Sequence, residues 1–415
     1  MTPQEDSLTT GSGPTGSPQL MRRMNRRQVL LALRDLGPLS RPALSKQTGL
    51  SKITVNAVVA ELVDQGRIDE TADVHTGGPG PRTRVVSFNP DYAYVAAVDI
   101  GASRARIALS DLSGRIVGQL SADLQHLTSA RAIIDVIREL FRETVASGQV
   151  DPDRIRAMYV ATPGIVEPST QRVTLAPQLP DWDSLDLVHE LGDLGDFTIQ
   201  VENEVRLAVA GEQWRGAATG IDDVAYFHLG MGVGLGLVVG GRIVHGANGA
   251  AGEVGYLPLM PHPGSAHDSS GPFEQLVGGE AYRRAAHRAI DAGHGNDLLD
   301  LAGQDSAAID ARLLYSAAID GHPGAEKIVT EILQVTARGV AAVCAILNPA
   351  IVIIGGGIAQ AGPWMLTALE KEVRVFAPLA PRFSLAGLGD DAALVGAIRQ
   401  ALTACEHELL DADAL

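Results

Sequence analysis

The chain has 415 residues, 46% of them apolar and 20% charged, enough for two or three domains with real cores. Two cysteines, Cys344 and Cys405, exclude a disulfide scaffold and a multi-cysteine metal cage, and they fit a reducing, cytoplasmic compartment. The net charge of −16 is uneven: residues 21–84 carry +5, residues 1–20 carry −2, and the remainder carries −19. The head can therefore attract nucleic acid, while the body repels it.

In chain order, residues 1–20 are mostly Gly, Ser, Thr and Pro and read as a disordered tail. Asn25 to Leu36 reads as a helix, with Val29, Leu30, Leu33 and Leu36 at helical spacing. Ser40 is placed to cap a short helix that carries Pro42 in its first turn and is broken by Gly49. Ser51 caps a longer helix, with Val55, Val58 or Val59, and Leu62 on the buried face and Gly66 as its stop. This pair is a helix-turn-helix pattern. A β-hairpin with Gly77, Gly78 and Gly80 at its tip and Arg82 and Arg84 on its far side follows. Together they predict a winged DNA-binding domain over 21–90. Its candidate DNA contacts are Arg41, Lys52, Thr54, Asn56, Arg82 and Arg84. Arg22, Arg23, Arg26 and Arg27 are expected to add sequence-independent phosphate affinity.

The body alternates strands and helices. Three strands with tight turns span Tyr94 to Leu124, a helix spans Arg131 to Ser147, and buried strands end in "ATPG" and "VEN". A glycine-rich strand pair begins near Val224, helices fill much of 273–301 and 309–347, and "AIVIIGGGI" is a last buried strand. The β-β-β-α-β opening recurs after Val224, which predicts two related lobes. The apolar runs in "LGLVVGG" and "AIVIIGGG" are too short to span a bilayer, and no secretory leader is recognisable. No membrane partner is expected.

Three turns carry the chemistry of anion cradles. "DIGAS" offers Asp99, Gly101 and Ser103, with the aspartate near enough to hold a metal or a water. "GMGVGLG" offers Gly230 and Gly232, and "IIGGGI" offers Gly355 and Gly356. Each alone is ordinary turn chemistry; three, each after a buried strand, point to a nucleotide-binding ancestor. "NGAAGEVGY" sets Glu253 among small residues. With Asn203, Glu204 and Glu274 it makes one amide and three carboxylates, a set suited to a hydroxyl-rich ligand. Taken singly, Glu204 and Glu274 read equally as solvent-facing first-turn helix residues.

The ordered series, from the winged head through "DIGASRARIAL", "ATPGIV", "VENEVRLAVAGE", "GMGVGLGLVVGGRIVHGANGAAGEVGY" and "NPAIVIIGGGI", resembles the ROK family of repressors and sugar kinases over roughly residues 22–400. The resemblance implies an α/β, actin-like (ribonuclease H-like) two-lobed ATPase fold behind the winged helix-turn-helix. It implies lobe 1 over 91–205, with a C-terminal helix over 390–410 packing back. Lobe 2 then covers 206–389, with the sugar-binding loop and an oligomerisation surface. By the same resemblance Asn203, Glu253 and Glu274 match positions that contact sugar hydroxyls.

The departures carry the functional expectation. The family's kinases have Asn-Asp where this chain has Asn203-Glu204, and that aspartate is their catalytic base. The extra methylene displaces the carboxylate by about an ångström, enough to spoil in-line attack. Met231 stands where the kinases have a threonine, and bulk is expected among the phosphates. The family's zinc motif is missing: Tyr256 replaces its histidine, no cysteine follows, and His262 and His267 alone make a poor zinc site. Tyr256 is left to face the sugar or fill the space. Zinc and ATP are therefore not expected as cofactors, and Glu204 is expected to be a ligand contact descended from a base.

These readings make the chain a sugar-responsive repressor, a homodimer or homotetramer on a palindromic operator. An active ATP-dependent sugar kinase with a DNA-binding head is the alternative. A repressor that answers to a protein partner is a third reading.

Overall fold

The computed structural model describes residues 18–72, 84–183, 185–259, 270–377, 379 and 381–410. The chain divides into two compact units. One lies within Met1–Ala93, Asp111–Ser113 and Thr403–Leu415; the other is Tyr94–Ser110 with Gly114–Leu402.

In the first unit, α1 (Pro18–Leu36), β1 (Leu39–Ser40), α2 (Arg41–Thr48), α3 (Lys52–Asp64), β2 (Ile68–Ala72) and β3 (Arg84–Phe88) follow in order. The α1 helix starts earlier than expected, and Pro18 to Leu20 belong to it rather than to the tail. A proline in the first turn loses no hydrogen bond, so Pro18 can open the helix. Ser40 caps α2 by accepting from the Ala43 N–H at 3.3 Å, and Ser51 caps α3 through the Thr54 N–H at 3.1 Å. Gly49 takes the left-handed conformation that ends α2. Val29, Leu30 and Leu33 of α1 meet Leu44 of α2 and Val55, Val59 and Leu62 of α3 in one core, which Ile68 and Val86 close from the sheet. Both Val58 and Val59 are buried. The strands β2 and β3 pair antiparallel, and the two-residue β1, too short to have a sequence period, adds to the other side of β3. This is a winged helix-turn-helix. Gly77, Gly78, Gly80 and Arg82, expected at the wing tip, lie outside the described residues.

The second unit holds two five-stranded sheets. The first uses β4 (Tyr94–Ile100), β5 (Arg104–Asp111), β6 (Ile116–Asp123), β7 (Ile155–Thr162) and β10 (Thr198–Asn203), in the order β10-β7-β4-β5-β6. Between β7 and β10 lie a small pair, β8 (Ile165–Val166) and β9 (Val173–Thr174). The second sheet uses β11 (Val224–Leu229), β12 (Val233–Val239), β13 (Arg242–Ile243), β14 (Ile351–Gly355) and β15 (Arg382–Leu385), in the order β15-β14-β11-β12-β13. The wiring is the same in both: a three-strand start, then two further strands added in parallel on the far side of the first. The strands β4, β7, β11 and β14 are almost wholly buried, hence their largely apolar sequences. The β15 strand was not legible in the sequence, since an exposed Arg382 followed by three half-buried residues shows no alternation.

Helices pack on each sheet. In lobe 1, α4 (Ala130–Gly148) lays Ile133, Ile134, Ile137 and Phe141 on the core; α5 (Leu187–Leu191) is short. The α6 helix (Glu204–Arg215) leads out of β10 into lobe 2. There follow α7 (Glu274–Val277), α8 (Gly279–Asp291), α9 (Asn296–Leu301), α10 (Ala311–Ile319), α11 (Pro323–Leu347) and α12 (Pro363–Phe376). The α11 helix is long and apolar enough to cross a membrane by length and composition. Its Ile328, Val329, Leu333 and Val340, however, are buried in the lobe 2 core. The last helix, α13 (Ala392–Leu410), crosses α6 so closely that a Cβ on Gly396 would run into the Leu207 carbonyl, and one on Gly211 into that of Ala392. The duplicated sheets form the actin-like, ribonuclease H-like two-lobed fold. The ends of their buried strands face each other across a cleft.

Candidate functional site

Where β10 gives way to α6, Asn203 is the N-cap. Its Oδ1 accepts from the N–H groups of Val205 (2.9 Å) and Arg206 (3.1 Å), and its Nδ2 donates to the Gly164 carbonyl at 2.9 Å. An amide so committed has one N–H left for a ligand. Its neighbour Glu204 opens the helix and sits on the partition between two cavities of the cleft, of about 290 and 220 Å³. It is no solvated first-turn residue. Burial, reinforced by the nearby Asp99 charge, pushes its carboxyl up to about 8, so it is protonated at neutral pH.

The larger cavity brings together all five residues expected to meet a sugar: Asn203, Glu204, Glu253, Tyr256 and Glu274. Glu274 accepts the Val233 N–H at 2.9 Å, which fixes its orientation and pins the glycine turn before β12. Burial raises the Glu253 carboxyl, with Arg206 pulling it down. Tyr256 is 39% exposed, at the mouth. Gly252 permits the close approach of this loop: φ is +94°, and a Cβ there would collide with the Leu235 carbonyl.

A buried network behind the loop was not anticipated. Arg206 is 1% exposed. It donates to Glu202 Oε1 at 2.6 Å and to the Gly249 carbonyl at 2.6 Å, while His245 Nε2 lies 2.7 Å from Glu202 Oε2. Glu202 thus joins α6 to the loop that delivers Glu253. The one sequence signal was the four-residue spacing of Glu202 and Arg206, which an ordinary helix pair shares. Gln178 and His228 also line the cavity, and His228 lines both cavities. Burial lowers the pKa of His228.

The smaller cavity gathers Asp99, Gly101, Ser103 and Gly356 from the expected anion turns. The other glycines fall elsewhere. Gly232 lines the larger cavity. Gly230 closes a turn through its N–H to the Gly232 carbonyl (3.0 Å) and its own carbonyl from the Gly279 N–H (2.8 Å). Gly355 is buried against Tyr226, whose hydroxyl occupies the space a side chain would need. Asp99 is paired where it lines this cavity: Arg106 Nε donates to its Oδ2 at 3.0 Å. The same guanidinium reaches Asp391 Oδ1 at 2.7 Å and the Asp390 carbonyl. Met231 does not fill this cavity. It is 67% exposed, lines the larger one, and rests its sulfur against the side-chain-free surface of Gly279. Among the described residues no group of three or more His, Cys, Asp or Glu is placed to hold a metal ion. His262 and His267 lie outside the described residues.

On the head, Lys52 and Asn56 are exposed along α3. Ile53 was missed in the sequence, yet it is 83% exposed at the start of α3; a single apolar residue there reads as core until its direction is known. The Thr54 hydroxyl is 2.9 Å from that of Ser51 and belongs to the helix cap. Arg41 grips Glu70 with two bonds (2.9 and 3.0 Å) and donates to Asn56 Oδ1 at 3.2 Å, so it orients Asn56. Arg84 lies 3.7 Å from the same Glu70. Arg26 is buried and paired with Glu61.

Comparison with known proteins agrees with this construction. The chain is 24% identical over 393 residues to a xylose repressor of Caldicellulosiruptor bescii, covering 94% of this chain and 98% of the relative. It is 30% identical over 277 residues to a glucokinase of Thermotoga maritima, covering 66% of this chain and 86% of that enzyme. The crystal structure of a ROK family transcriptional regulator, a homologue of the E. coli MLC protein, superposes with a TM-score of 0.75 at 23% identity, over 94% of this chain and 99% of that one. The ROK family model matches residues 95–404, and the chain belongs to the ROK family.

Proposed function

We propose that this protein is a sugar-responsive transcriptional repressor. Its winged head binds a palindromic operator, and its cleft binds the effector. The observation that carries this reading is the extent of the relatives. The xylose repressor aligns along 94% of the chain, head included, whereas the glucokinase aligns along 66%. The exposed face of α3, with Lys52, Ile53 and Asn56, supports major-groove contact. Glu253, Tyr256 and Glu274, with Glu204, supply donors and acceptors for sugar hydroxyls. A homodimer or homotetramer presents paired heads to the two half-sites. As a DNA regulator it works in the cytoplasm.

The body is not a kinase in this proposal, and it requires neither zinc nor ATP. Glu204 in place of aspartate is protonated at neutral pH, the wrong state for a general base. Asp99 is held by Arg106. The kinase reading keeps the support of the glucokinase likeness, so the deciding experiment carries both arms. Full-length protein is used to select duplexes from a random pool, and the selected duplex is then titrated against a panel of hexoses and pentoses. ADP release is followed in parallel with ATP present. Palindromic selection, a sugar-dependent change in operator affinity and no ADP above background are expected. Turnover above background sinks the repressor-only reading, and failure to select any duplex sinks the DNA reading.

A further inference from the structure

The sugar-binding reading leaves open whether the effector carries a charge, and the cleft bears on that question directly. Two carboxylates, Glu253 and Glu274, face the larger cavity beside Glu204, whose carboxyl is held neutral, and among the described residues no lysine or arginine lines it. A phosphate or carboxylate on the ligand needs a cation or a fan of N–H donors. One N–H of the glycine turn is already taken: that of Val233 is bonded to Glu274.

A phosphorylated ligand has one other recourse, which is to reach past Glu204 into the smaller cavity, where Arg104 and Arg106 stand. Arg106 is committed to Asp99, Asp391 and the Asp390 carbonyl, and Arg104 lies 3.8 Å from Asp390. Asp99 and Asp390 line that cavity themselves. Both compartments thus meet an anion with carboxylates and with cations that are already paired.

We propose, resting on the sugar-binding reading, that the effector is an unphosphorylated, uncharged or cationic sugar, and that sugar phosphates and uronic acids are excluded by the carboxylates of the cleft. Like charge placed face to face in a closed site costs several kcal/mol, which corresponds to about a hundredfold in affinity or more.

The test uses full-length protein and pairs each neutral sugar of the panel with its phosphate ester and its uronic acid. Binding is read by titration calorimetry and by the shift in melting temperature at equal free concentration. The expected result is that at least one neutral or amino sugar binds, with its phosphate and uronate partners about a hundredfold weaker or silent. A phosphate or uronate that binds as tightly as its parent overturns the charge inference and leaves the sugar reading standing. Silence in every arm overturns both. A Glu253→Gln, Glu274→Gln double variant keeps the hydrogen-bonding shape and removes two charges. It is expected to narrow the gap between parent and phosphate at least about tenfold; an unchanged gap also overturns the inference.

Discussion

Asn203 and Glu204 are adjacent and have opposite employments. The amide is a helix cap that completes backbone donors, and the carboxyl beside it is left facing the larger cavity. The protonation of Glu204 has a measurable consequence. Its folded-state pKa of about 8 lies above its unfolded value. The folded state therefore holds a proton that the unfolded chain loses above the ordinary carboxylate range. The stability this confers is fully present at acid pH and is lost as pH rises to about 8. Glu204→Gln is expected to remove that slope, so its melting temperature relative to the wild type rises from pH 5 to pH 9; parallel curves would place the shift elsewhere. Glu253→Ala is expected to abolish the sugar-induced rise in melting temperature while operator affinity stays within about twofold. A normal sugar response in that variant would remove Glu253 from the site.

At the scale of elements, two helices decide most. The α3 helix presents Lys52, Ile53 and Asn56 outward because Val55, Val59 and Leu62 face the core. Lys52→Ala is expected to weaken all duplexes alike and to lower the salt slope by about one. Asn56→Ala, by contrast, is expected to cost about 1–3 kcal/mol on the selected operator and to relax base preference at one position. Ile53→Ala is expected to relax preference at a thymine, whose methyl an exposed isoleucine suits. Competition binding with single-base operator variants separates the three. The α6 helix begins in the cleft and is crossed by α13 at Gly211 and Gly396, where the backbones touch. Gly396→Ala has no room against the Leu207 carbonyl and is expected to cost about 1–3 kcal/mol by overpacking, read by denaturant titration.

Over the whole molecule, one fold has been wired twice, and the strand ends of both copies line a single cleft. Such a cleft responds to a ligand only if its two arrangements bind that ligand unequally. An effector at a hundred times its dissociation constant stabilises the folded chain by about 2.7 kcal/mol. The rise in melting temperature and the change in operator affinity are therefore expected to saturate at the same ligand concentration. Separate saturation would mean that the stabilising site is not the regulatory one.

The sequence alone determined the winged head and the doubled α/β body, and it singled out five of the residues that line the larger cavity, Asn203, Glu204, Glu253, Tyr256 and Glu274, while Gln178, His228 and Met231 join them only in the fold. Caps, glycine stops and apolar periods are local, and they specify α2, α3, β4, β11 and β14 without reference to anything distant. It could not determine partners. The commitment of Arg106 to Asp99 and Asp391, of Arg41 to Glu70, and of Arg206 to Glu202 and Gly249 joins groups whose meeting depends on how the elements pack. The direction of Met231 and the burial of Glu204 depend on neighbours contributed by other segments, such as Gly279 and Asp99. Charge and residue type are properties of the chain; whether a charge is free, paired or protonated is a property of the packed interior, where desolvation and distance set its energy.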